Sequence, residues 1–391
     1  MNDRLAKEKH MEPIVIIGSG LAGYTLAREL RKLDQAVPLI IITADDGRYY
    51  SKPLLSNALA QGKTADQLAG ASALAMAEQL NAEVLAFSRV EAIDPAARSV
   101  RVAQRVIAYG KLVLALGADP VRPQLAGNAA DSVMSVNDLM DYARFRERIA
   151  GTRRVMILGG GLIGCEFAND LSLAGYQVHI VHPASHPLDR LLPETAAQDL
   201  QRGLAAAGVT WHLGHTAVAV NQTATGYAVT LDDGALLEAD AVLAAIGLRP
   251  RVALAQAAGM RVARGIQVNR LLETSAANVY ALGDCAEVAG HVLPYVMPLM
   301  AQARALAATL AGTPTEVAYP AMPVTVKTPA CPVAVATVAE GLAGSWQVAC
   351  GEDGVCALYQ DEGKGLLGFA LTGKQAGQRQ ALARQLPALM P

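Results

Sequence analysis

Aromatic residues are scarce in this chain. Four Phe, eleven Tyr and two Trp make up 4% of 391 residues, although 52% are hydrophobic. The apolar content is therefore mostly small and aliphatic. Charge of one sign is missing too. Thirty-three Lys and Arg against 35 Asp and Glu leave a net charge of -2, which speaks against a general affinity for nucleic acid. No run of about 18 residues is apolar throughout. Pro, His, Gln or Arg interrupts the most apolar regions, so the mean hydropathy of +0.26 does not come from a membrane span. The charged start, MNDRLAKEKHMEP, lacks the apolar centre of a signal peptide. It reads as a frayed lead-in, with Met11 as an alternative start, and a cytoplasmic location is expected. The five cysteines (Cys165, Cys285, Cys331, Cys350 and Cys356) are odd in number and form neither C-x-x-C nor a zinc spacing. Reduced thiols and no metal site are expected. Cys350 and Cys356, six apart, read as ordinary structural residues rather than a redox pair.

What is present is a device that occurs twice. The segment VIIGSGLAGYTLA holds Gly18-x-Gly20-x-x-Gly23, and VMILGGGLIGCEFA holds Gly159-x-Gly161-x-x-Gly164. Each follows an apolar strand and opens a helix with one apolar face, and each helix leads to a second apolar strand. The first helix is expected over Leu21–Asp34, with its strand at Val37–Thr43. The second is expected over Leu162–Ala174, stopped by Gly175, with its strand in YQVHIVH. A loop of this kind sets bare backbone against a pyrophosphate at the positive end of a helix. The 141 residues from Gly18 to Gly159 are too many for one nucleotide fold and suit two, one nested in the other.

The residue that ends the second strand of such a unit normally holds the adenosine ribose. After the first turn the sequence is ITADDG. Asp45 is the natural carboxylate there, one residue later than usual. After the second turn the corresponding residue is His182, with neither a carboxylate nor an Arg cluster beside it, so NADH and NADPH both remain open. A third signal is NVYALGD. Its buried strand delivers Gly283 and Asp284, where a flavin's ribityl chain needs a hydroxyl acceptor. The helix after it has Pro298 near its start, and its positive end suits the flavin edge that gains negative charge on reduction. Leu21, Ala22, Ala44 and Gly117 complete the candidate cofactor contacts. From about Met322 short β-rich runs, PVTVKT, PVAVATV, WQVAC, VCALYQ and LLGFALTG, imply a small α+β module closed by a helix over Lys374–Gln385.

With these motifs the chain resembles the pyridine nucleotide-disulfide oxidoreductase superfamily over nearly its whole length. The stretches ITADDGRYYSKPLLS, LIGCEFANDL, YVMPLMAQARALA and MPVTVKTPACP resemble, more narrowly, bacterial rubredoxin reductases of alkane oxidation. The resemblance implies an α/β fold of two nested Rossmann-like domains and a small C-terminal α+β domain. The FAD domain would be 1–117 with 248–321, the NAD(P)H domain 118–247, and the C-terminal domain 322–391. FAD would occupy the first turn, and NADH or NADPH the second as co-substrate. The resemblance also puts Lys52 beside the FAD phosphates or flavin, Glu166 near the flavin and Lys52, and Lys327 near the flavin ring. The Val90 backbone would meet the adenine, and Val296 the isoalloxazine edge.

Disulfide reductases of this superfamily carry a cysteine pair soon after the first nucleotide unit, and NADH peroxidases a single cysteine. This chain has no cysteine before Cys165. Electrons are therefore expected to leave directly from the flavin, which takes up a hydride and can release electrons singly. Rubredoxin, a small acidic one-electron carrier, is the partner that the resemblance implies, feeding an alkane hydroxylase. Because the chain is nearly neutral, docking would rely on local basic residues such as Arg48, Lys52 and Lys327. Two other readings share the motifs: a ferredoxin reductase for an oxygenase or P450, and a non-catalytic flavin-binding sensor.

Overall fold

The computed structural model describes residues 12–339 and 341–391. Residues 1–11 of the charged lead-in, Met11 among them, lie outside the described residues. The chain forms two compact units. One holds the stretch ending at Ser51, Ala69–Asp119 and Arg249–Ala318; the other holds Lys52–Leu68, Pro120–Leu248 and Tyr319–Pro391.

In the first unit a five-stranded sheet runs in the order Val279–Ala281, Lys111–Leu114, Ile14–Ile17, Leu39–Ile42, Glu83–Leu85. Every pairing in it is parallel. The strands are short and almost wholly apolar, as they must be with helices covering parallel strands. Ile14, Val15, Ile16, Leu112, Val113 and Leu114 are all buried. The helix Leu21–Leu33, ended by Asp34, packs on the helix Val296–Leu310. Lys111 donates from Nζ to the Leu310 carbonyl at 2.9 Å, supplying a partner for one helix-end acceptor. An antiparallel sheet of Val90–Asp94, Ser99–Val102 and Arg105–Ala108 fills the crossover from the edge strand back to Lys111.

The second unit repeats the plan with four parallel strands, in the order Val209–Leu213, Gln177–His182, Arg154–Leu158, Ala241–Ala244. The helix Leu162–Leu173 follows its glycine turn. The five β-rich runs near the end form one antiparallel sheet, ordered Val324–Val326, Val333–Ala336, Leu366–Thr372, Gly354–Gln360, Ser345–Gly351. This sheet shares a core with the nucleotide fold: Phe167, Leu171, Leu200 and Leu204 belong to the same buried cluster as Val333, Val335, Val355 and Ala370. Thr372 Oγ1 adds a hydrogen bond to Asp199 Oδ2 at 2.5 Å.

Two features depart from the sequence reading. The closing helix is a 3-10 turn, Gly373–Gln378, followed by a helix of only five residues, Arg379–Ala383. The Lys374 and Gln375 amides donate to the Asp353 carbonyl, and Gly373 and Gly377 weaken any longer helix. Second, Lys52–Leu68 groups with the second nucleotide fold although it lies inside the chain of the first. Its attachment explains why. The Leu59 and Ala60 amides donate to the Asp170 carboxylate at 2.8 and 3.0 Å, and Ser56 Oγ donates to Glu166 Oε2 at 2.5 Å. Glu166 and Asp170 are four apart on one helix, so one face presents both acceptors.

Candidate functional site

The first turn is a cradle of backbone. A Cβ on Gly18 would overlap the Ala115 carbonyl, and one on Gly23 the Gly18 carbonyl. Those two glycines let strand and helix approach closely. Around Gly20 the reverse holds: nothing lies within 4 Å of where a Cβ would point. Gly20 caps the helix without a side-chain hydrogen bond, and the first amides of a helix have no partner within the helix, which suits this end to a phosphate. Asp45 belongs to this turn despite its late register. Its Oδ1 accepts from Ser19 Oγ at 3.0 Å, Thr43 Oγ1 at 2.7 Å and the Gly47 amide at 3.0 Å. Its Oδ2 has no partner among the described residues, leaving one carboxylate oxygen for a ligand hydroxyl. Exposed Ala44 precedes it.

The other candidates in this unit are placed as follows. Val90 starts the crossover sheet and is buried, while Gly117 has φ +72°. Gly283 has φ +76° and donates its amide to buried Gln302 Oε1 at 2.6 Å. Asp284 follows it in a 3-10 turn. Val296 is the first residue of its helix and exposed. Phe87, which the sequence reading did not single out, lies beside the first turn. Its backbone is left-handed, with φ +50°, its amide donates to the Asp45 carbonyl at 2.8 Å, and its ring is 73% exposed. The other three phenylalanines are buried. No sequence signal marks this residue, because its exposure depends on a turn that propensity does not reveal.

The second turn reproduces the first. A Cβ on Gly159 would come within 2.6 Å of the Ala245 carbonyl, one on Gly164 would overlap the Gly159 carbonyl, and Gly161 faces open space. His182 is buried with its ring against Gly160, and its Nε2 lies 3.2 Å from Asp189 Oδ1. Burial lowers its pKa, against the pull of Asp189. Cys165, on the helix beyond, is fully buried and its thiol is pushed up by burial. Burial also raises Cys285 and Cys331, each to about 11. None of the three is a ready thiolate at neutral pH. Cys350 and Cys356 lie on adjacent strands but face different partners, Val355 and Ala349.

Glu166 is 1% exposed. Its ion pair is with Lys327 Nζ, and its Oε1 accepts from the Lys327 amide at 2.9 Å. Lys327 Nζ also donates to Ser56 Oγ at 3.0 Å. Lys52 has a different acceptor, Asn137 Oδ1, at 2.7 Å. Lys327, rather than Lys52, is thus the cation bonded to Glu166. Asn169 accepts from the Ala330 amide at 3.0 Å, and burial pushes Asp170 up despite its amide partners. Three buried polar residues in CEFANDL thus tie one helix to two distant segments. Of the basic residues considered for docking, Lys327 is bonded to Glu166, and Arg48 Nε is bonded to Asp46 Oδ2 at 2.7 Å.

These features fit two dinucleotides, one at each turn. Residues 12–307 match the family model for pyridine nucleotide-disulphide oxidoreductases. The chain belongs to that family. In this oxidoreductase, residues 316–386 match a second model, described as a rubredoxin binding C-terminal domain. A rubredoxin-NAD(+) reductase of Alcanivorax borkumensis is 54% identical over 382 residues, covering 97% of this chain and 100% of the relative. One from Acinetobacter baylyi is 48% identical over 390 residues, covering 97% and 99%. Among solved structures, the ferredoxin reductase for the CYP199A2 system of Rhodopseudomonas palustris is similar, with a TM-score of 0.86 and 25% identity. That match covers 96% of this chain and 95% of the other. No helix among the described residues is long and apolar enough to cross a membrane.

Proposed function

We propose that this flavoprotein passes electrons from NADH, through bound FAD, to rubredoxin. The observation that carries this reading is the join in one chain of a segment matching the pyridine nucleotide-disulphide oxidoreductase family and a segment matching a rubredoxin binding domain. FAD supplies the conversion from two-electron donor to one-electron acceptor. The protein's own groups bind and orient. The amides after Gly20 and the free oxygen of Asp45 would hold the adenosine diphosphate of FAD. The amides after Gly161 would hold that of the coenzyme. The Lys327–Glu166–Ser56 cluster holds a cation in a closed network, since each partner is bonded to the other two. Direct transfer from flavin to iron suits a protein whose Cys165, Cys285 and Cys331 are buried, with their thiol pKa values raised. We place the protein in the cytoplasm, feeding an alkane hydroxylase.

The deciding experiment compares turnover of NADH with rubredoxin and with a [2Fe-2S] ferredoxin as acceptor. Rubredoxin should be reduced at least tenfold more efficiently. Equal or better ferredoxin reduction would transfer the reading to a ferredoxin reductase. Failure of NADH to reduce the flavin at all would leave a flavin-binding sensor.

A further inference from the structure

We propose that Asp189 is the residue that receives the adenosine ribose of the coenzyme at the second turn and makes the protein prefer NADH to NADPH. This rests on the reading that a nicotinamide dinucleotide binds there. The strand-end position that ordinarily holds a ribose carboxylate carries His182. Its ring is buried against Gly160, where a Cβ would come within 3.0 Å of its Cγ, so it is not free to turn toward a ligand. The next loop brings a carboxylate to it instead. The Leu188 amide donates to the Gly160 carbonyl at 2.9 Å, and Leu188 is buried with a left-handed backbone, φ +52°. That residue pins the loop to the glycine turn. Asp189 follows it, with its Oδ1 3.2 Å from His182 Nε2 and its side chain 34% exposed.

With Asp189 ionised, Nε2 carries the proton and donates. Oδ2 has no partner among the described residues. The arrangement parallels Asp45 at the first turn, where one oxygen is tied to the turn and the other is open. An ionised carboxylate accepts from the ribose hydroxyls and repels a 2′-phosphate. Adjacent Arg190 is exposed and also has no partner among the described residues, so the rival outcome is an arginine-clamped phosphate and a preference for NADPH.

The test uses the FAD-loaded protein without rubredoxin, so failure of the acceptor reading leaves it intact. Flavin reduction by NADH and by NADPH is followed by stopped flow, and NAD+ and NADP+ binding by calorimetry. Wild type should favour NADH. Asp189→Asn should narrow the ratio of the two efficiencies at least fivefold and weaken NAD+ binding, and Asp189→Arg should narrow it further. Asp189→Glu, which keeps the charge, should retain the preference. His182→Phe, which frees Asp189 from its anchor, should raise the NADH concentration needed for half-maximal reduction more than it lowers the maximal rate. Asp189→Ser serves as a second neutral variant should the first lose its flavin. A wild type that prefers NADPH, or neutral variants whose ratio stays within twofold of wild type, would overturn the proposal.

Discussion

The turns at Gly18–Gly23 and Gly159–Gly164 have nearly one backbone and different surroundings. In both, the first and last glycines sit where a Cβ would strike a carbonyl, and the middle one faces open space. What differs is the side chains around them. Ser19 and Thr43 hold Asp45 at the first turn; a buried histidine holds Asp189 at the second. The helices differ as well. The second carries Glu166, Asn169 and Asp170, each 1–2% exposed, whereas Thr25 is the buried polar residue of the first. Backbone close approach gives the two turns one shape, and neighbouring side chains set the charge beside each turn and what else its helix must support.

The comparison can be broken most forcefully at the closing glycine. Gly23→Ala and Gly164→Ala each place a Cβ on a backbone carbonyl and should cost about 3 kcal/mol or more. Gly23→Ala should strip the purified protein of its yellow flavin. Gly164→Ala, where it folds, should retain flavin but fail to be reduced by NADH. Absorbance at the flavin band, before and after NADH, separates the two; identical phenotypes would mean the turns do not serve separate nucleotides.

Glu166→Ala ranks next. Removing one partner of a buried ion pair leaves Lys327 uncompensated and should destabilise by about 3 kcal/mol. Denaturant titration should show the loss, with a much smaller effect for Thr25→Ala on the other helix. A loss below about 1 kcal/mol would show that Lys327 finds solvent instead. Asp45→Asn comes third. It keeps an acceptor but loses charge, and FAD should bind about tenfold more weakly, in line with roughly 1.4 kcal/mol for one charge-assisted hydrogen bond. Unchanged retention of FAD on dialysis would remove Asp45 from the ribose site.

The smallest effect is one of pH, and it concerns the second fold. Burial lowers His179, His182 and His212 from an unfolded value of 6.5. Arg154 near His179, and His179 and His215 near His212, push in the same direction, whereas Asp189 opposes it at His182. Because the unfolded chain takes up protons first, stability from these groups is complete above pH 6.5. It is lost as pH falls from there through the lowered values. Urea midpoints at pH 7.5 and 5.5 should differ, and His212→Asn should reduce the difference. A midpoint that rises on acidification would contradict the burial argument.

The paired strand–turn–helix units were legible in the chain because they are local: glycine spacing and apolar periodicity are written within about 30 residues. The five strands after Met322 were legible for the same reason, through alternation and turn residues. Three things were not. The segment Lys52–Leu68 joins the second fold through residues far along the chain: its amides meet Asp170, its Ser56 meets Glu166, each about 110 residues away, and its Lys52 meets Asn137. The cation bonded to Glu166 is Lys327, 161 residues away, and no local pattern specifies that pairing. Asp189 reaches the second turn through one hydrogen bond of a left-handed leucine. Spacing along the chain determined that this protein has two strand–glycine turn–helix units. Tertiary structure decided which charges stand beside them, because a carboxylate acts on whatever lies within a few ångströms, irrespective of its distance in sequence.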